Sequence, residues 1–171
     1  MTAHDILQAI QDTGFATDIR EGISLFPWIE SVHVLAIVIV VGTISIIDMR
    51  LLGLPAHRVG VRRLMKDVLP LTWGAFAVAV ITGFLLFSSA ALKYALIWEF
   101  QLKMALLAAA GMNMLFFHTV TFRNVHLWDE LVETPFAAKV AALSSLCLWI
   151  GVVICGRVTG FVIAAMGFTS G

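Results

Sequence analysis

Four stretches of the chain are apolar over lengths that suit a bilayer. The first covers about residues 27–47 and is broken only by Glu30 and His33. The second, 68–92, is apolar almost throughout. The third, about 99–122, has Lys103 near its start and His118 near its end, and the fourth, about 135–161, has Lys139 and Arg157 near its ends. A spanning helix needs roughly 20 such residues, so four in a row with short joins predict an up-down helical bundle. Two flanking pieces are apolar on one helical face only. In 2–13, Ile6, Leu7 and Ile10 share a face; in 58–67, Val61, Leu64 and Met65 oppose Arg62, Arg63 and Lys66. Both read as helices lying at the interface. Pro70 is expected to kink or start the second span, and Thr134-Pro135 reads as an N-cap followed by a helix-starting proline. The expected architecture is all-α: an integral membrane four-helix bundle forming one transmembrane domain over 1–171, with a short amphipathic N-terminal helix.

Composition agrees. Of 171 residues, 60% are hydrophobic and 13% charged, against about 45–50% and about 25% in soluble domains. That balance excludes a water-soluble enzyme. The formal net charge is zero, which leaves no basic footprint for nucleic acid. The start carries Asp5, Asp12, Asp18 and Glu21 and lacks the basic and apolar regions of a cleavable signal peptide. Cys147 and Cys155 lie in one apolar run, about 12 Å apart along a helix, and are not expected to pair. Arg50, Arg58, Arg62, Arg63, Lys66, Arg123 and Lys139 fall on one side of the predicted bundle, against Arg20, Lys93, Lys103 and Arg157 on the other. By the positive-inside rule, both termini are expected outside. In a bacterium this makes a multi-pass inner-membrane protein with periplasmic termini.

Ionisable side chains inside a span are costly and mark a site or a pair. At 1.5 Å per residue, His33 lies about 9 Å and Lys103 about 6 Å below the outer membrane face. Glu30 and Arg157 fall in the same layer, while Asp48 and His118 form an inner layer with His57 and His126 in nearby loops. An imidazole, an amine and a guanidinium at one depth suit a metallated, anionic cofactor, and haem b fits best. Haem takes an axial histidine nitrogen, an apolar slot and cations for its propionates. His33 is the expected axial ligand. Arg157 and Lys103 are candidates for the propionates, with Trp28, Trp149, Phe84 and Met104 around the ring. His118 is a candidate for a second metal site. His4 is on the correct side to complete the outer site, and His57 or His126 the inner one. Copper is the rival metal, since histidine suits it and several methionines are available. Gly156 and Gly160 form a G-x-x-x-G, which lets helices approach closely or admits a cofactor.

The run Trp28-Ile29-Glu30-Ser31-Val32-His33, with Asp48-Met49-Arg50-Leu51-Leu52-Gly53, resembles a family of small bacterial four-helix inner-membrane proteins. So does the stretch Trp98-Glu99-Phe100-Gln101-Leu102-Lys103-Met104 followed by Gly111-Met112-Asn113 and Phe117-His118. More remotely, the plan is similar to the membrane-bound haem-containing protoporphyrinogen oxidase, through His33 and Lys103, and to copper-resistance membrane proteins of the D type. The resemblance implies haem binding and oxidation–reduction. The functional expectation is therefore a b-type cytochrome in electron transfer. The alternatives are a membrane oxidoreductase acting on porphyrin or quinone, with Lys103 as a candidate catalytic group, and a copper-binding or copper-transport protein. Expected partners are the lipid bilayer, a quinone or periplasmic redox protein, and further copies of the chain.

Overall fold

The structure is a computed structural model that describes residues 2–53, 60–121 and 134–168. His57, Arg58, Arg123 and His126 lie outside the described residues. Among the described residues every regular element is helical. Helices α1 (Ala3–Gln11) and α2 (Gly14–Glu21) precede the long α3 (Leu25–Leu51) and α4 (Val61–Ser89). A single short helix α5 (Ala91–Leu96) leads into α6 (Trp98–Phe116), which ends in a π-helical turn (Phe117–Thr121), and α7 (Phe136–Phe168) closes the chain. Four helices are long and apolar enough to cross a membrane: α3, α4, α6 with its π turn, and α7. The chain is thus an all-α bundle of the multi-pass membrane type.

The element boundaries follow local chemistry. Thr2 caps α1: its hydroxyl accepts from the Asp5 N–H at 3.3 Å, and the Asp5 carboxylate accepts from the Thr2 N–H at 2.7 Å. The basic turn expected as a separate interfacial helix is continuous with α4, and Pro70 sits inside that helix rather than at its start. Proline removes one helical donor, but the turns on either side keep theirs, and in a membrane a helix that satisfies its own backbone is the cheapest path. Pro135 lies just outside α7, where its carbonyl accepts from the Ala138 and Lys139 N–H groups.

Packing divides the four long helices into two hairpins. α3 pairs closely with α4, α6 pairs closely with α7, and a seam between α3 and α7 joins the hairpins. Lipid is as apolar as leucine, so these contacts rest on close packing and on hydrogen bonds between helices. Val40, Ala75, Ala110, Trp149 and Val152 form one buried cluster at mid-height. Ile47, Leu51, Val61, Met65, Phe117 and Ala141 are among those forming another at the Asp48 end. Thr72 donates to the Thr43 hydroxyl at 2.9 Å between α4 and α3, and the Asn113 amide donates to the Ala141 carbonyl at 2.9 Å between α6 and α7.

At the opposite end, which carries His33, α1 and α2 fold across the turn between α4 and α5. Arg20 donates to the carbonyls of Gln11 and Ser89, both at 3.3 Å, and the Gln11 side chain accepts from the Leu92 N–H at 3.2 Å. Arg20 therefore ties the N-terminal helices to α4. Hydrogen bonds from a charged donor contribute about 1.5–3 kcal/mol. Arg20→Ala is expected to loosen residues 2–22 without unfolding the bundle, seen as faster hydrogen exchange or proteolysis there with unchanged helix content.

Candidate functional site

A cavity of about 870 Å³ runs between the four long helices, from His33 and Lys103 at one end to Asp48 and His118 at the other. His33 and Asp48 are fifteen residues apart on α3, so the cavity is about 22 Å long. Its walls are largely hydrocarbon and aromatic. One side is open. α4 and α6 both line it, yet neither is the other's main packing partner. Trp73, Val80 and Phe84 of α4 and Met104 and Met114 of α6 line the cavity while remaining exposed on the outside of the bundle. The cavity is thus a crevice with a lateral slot facing the bilayer.

His33 is held by α4. Its Nδ1 lies 3.0 Å from the Thr82 hydroxyl. That hydroxyl gives its own hydrogen to the Val78 carbonyl at 2.7 Å, so its oxygen accepts from Nδ1–H. The ring also hydrogen-bonds the Ala79 backbone of α4, so two groups one turn apart on that helix orient the imidazole. The ring rests against Gly83: a β-carbon there would stand 2.9 Å from His33 Cε1. Position 83 is glycine because the imidazole occupies the space.

Lys103 is held in a similar way by α7. A β-carbon at Gly156 would meet Lys103 Cε and Nζ at 3.6 Å, so the lysine stem lies along the bare backbone of that helix. Gly156 of the G-x-x-x-G thus serves a side chain, while a β-carbon at Gly160 meets nothing within 4 Å. Gly151 fills the ordinary packing role, with Leu106 Cδ1 3.0 Å from its β-carbon position.

Above this end of the cavity stands an aromatic group that the hydropathy pattern does not single out. Phe87 and Phe100 stack with centroids 5.5 Å apart and 11° between planes, and Tyr94 of α5 lies 5.4 Å from Phe100 and 6.2 Å from Phe87. Burial, with a further push from the Glu30 carboxylate, raises the Tyr94 phenol to about 12. Tyr94 is the one tyrosine in the chain, so tyrosinate absorbance reports on it alone. Its titration midpoint is expected near 12 in the folded protein and near 10.0 after denaturation. The folded state holds this proton more tightly, so its contribution to stability is whole below pH 10 and is lost as pH rises towards 12.

The other expected site residues are distributed as follows. Trp149 is buried and lines the cavity, as do Phe84 and Met104. His118 lines it at the far end, with Nδ1 3.0 Å from the Met114 carbonyl. Arg157 is not brought to the cavity: it is exposed, and its guanidinium carbon lies 4.5 Å above the Phe161 ring. Trp28 is 72% exposed and faces outward, as an interfacial aromatic does. His4 is exposed on α1. Among the described residues no three His, Cys, Asp or Glu side chains gather closely enough to hold a metal ion. Asp48, placed in the inner layer by depth, is 5% exposed and lines the cavity. Comparison of the chain with protein-family models, curated proteins and solved structures gave no match.

Proposed function

We propose that this chain is a membrane haem protein that carries a b-type haem in the His33 half of the crevice and serves electron transfer. The observation that carries the reading is the His33–Thr82 pair. Hydrogen bonds from α4 fix the imidazole at the wall of an apolar cavity, and an orienting partner of this kind is what proteins give a histidine that holds a metal. Lys103 supplies a cation in the same region for a propionate. Phe84, Met104 and Trp149 form the hydrocarbon slot that the macrocycle needs, and the Phe87–Phe100–Tyr94 group shields its edge from water. When bound, haem supplies reversible one-electron exchange at its iron. The protein's share is to hold the axial nitrogen, to balance the propionate charge and to keep the site dry. Arg157, directed outward over Phe161, has no part in this version of the site, and Lys103 alone provides the cation.

The setting we propose is the bacterial inner membrane with both termini periplasmic. Supporting it, Arg50, Arg62, Arg63, Lys66 and Lys139 all lie toward the Asp48 end. A second reading, a membrane oxidoreductase acting on porphyrin or quinone, is favoured by the slot between α4 and α6, through which a lipid-soluble ring enters from the bilayer. The test is optical. Full-length protein purified after haem-sufficient expression is expected to show a Soret band and a b-type pyridine haemochrome. A colourless preparation that also fails to take up added haemin overturns the proposal.

A further inference from the structure

We infer that the Asp48 end of the crevice is a second, separate subsite, which seats the ring hydroxyl of a lipid-soluble quinol between Asp48, Ser145 and Asn113. Asp48 is 5% exposed, yet its Oδ2 has no hydrogen-bond partner, and it is the buried side-chain oxygen or nitrogen so left among the described residues. Its known polar neighbour is Ser145. Asn113 commits its amide hydrogen to the Ala141 carbonyl, which leaves its Oδ1 as an acceptor. All three residues line the cavity. A buried acceptor without a donor is rare in proteins and calls for a specific explanation. Here it shares the cavity with Phe117 and Trp73, which stand at the same end, and the missing element is a donor brought by a guest.

The slot specifies what kind of guest. Because it faces the bilayer between α4 and α6, the visitor must be soluble in hydrocarbon, and a free cation is not. Because the subsite offers acceptors flanked by indole and phenyl rings, the visitor must present a hydroxyl on a flat ring. Because the rim at this end is exposed and apolar at Trp73 and Met114, an aliphatic tail can remain in the slot while the head is inside. A neutral aromatic diol with an apolar tail, the quinol class, meets all three conditions. Asp48 and His33 lie about 22 Å apart along α3, so the two subsites do not compete for the same walls.

The experiment uses full-length protein in nanodiscs, with a decyl-tailed benzoquinol as probe and tryptophan fluorescence as readout. Its dimethyl ether, identical except for the two hydroxyl hydrogens, is the comparator. Saturable binding of the quinol is expected, with the ether at least tenfold weaker, and Asp48→Asn is expected to weaken quinol binding at least tenfold while leaving ether binding unchanged. Equal affinities for quinol and ether in the unmodified protein overturn the inference, as does an Asp48→Asn protein that binds quinol normally. The ether comparison needs no variant, so it decides the matter even where Asp48→Asn fails to fold. Neither measurement depends on bound haem: a colourless protein that still distinguishes quinol from ether refutes the haem reading alone.

Discussion

Replacing His33 by alanine is expected to remove haem from the protein, leaving less than a tenth of the wild-type Soret absorbance per chain. The size of the effect follows from the geometry. His33 is the histidine that lines this end of the crevice, and Lys103, which also lines it, lies along α7 at Gly156. The imidazole is held by Thr82, so Thr82→Val gives a graded companion. It keeps the ring and removes the oxygen that accepts from Nδ1–H, and loss of such an orienting partner typically costs 10–100-fold in metal affinity. The expected order of haem retention is wild type, then Thr82→Val, then His33→Ala. An unchanged spectrum in His33→Ala assigns the iron to another residue.

Gly83→Ala is expected to do nearly as much damage with a single methyl group. The added carbon would lie 2.9 Å from His33 Cε1, and Nδ1 is only 3.5 Å away. The ring must therefore shift, and its hydrogen bond to Thr82 is lengthened or broken. Gly74→Ala on the same helix places its methyl where nothing lies within 4 Å, so it serves as the neutral comparison, with retained helix content and spectrum. Measured side by side, the pair separates a steric effect on His33 from the general effect of removing a glycine from α4, where alanine is otherwise favoured. Equal haem content in both variants would show that the imidazole does not need its present position.

Much of this arrangement was legible in the residues. Spans at 27–47, 68–92, 99–122 and 135–161 lie close to α3, α4, α6 with its π turn, and α7, because a bilayer demands long apolar runs and little else in the chain supplies them. Depth counting placed His33 and Lys103 in one layer, and both line the crevice. Depth alone does not carry azimuth, and Arg157 shows the consequence. Val152, Cys155 and Thr159 form the buried stripe of α7; Arg157, two residues past Cys155, is rotated about 200° from it and faces away. That stripe of small side chains was the available signal. Asp48 was harder to read. Depth placed it in the inner layer at the end of an apolar run but said nothing of its burial, which comes from α3 continuing through Leu51 and from Val61 and Met65 of α4 closing that end of the bundle. The merging of the basic turn into α4 was equally hidden, since an amphipathic segment looks the same whether it lies on the membrane or leads into it.

The pairing of the long helices has a mechanical consequence. With α3 against α7 as the spine and the edges of α4 and α6 unpaired across from it, the two hairpins are related as covers to a binding. Spreading or closing them strains one seam and leaves both hairpins whole. Lipid tails therefore border those free edges, where a neighbouring helix would otherwise stand.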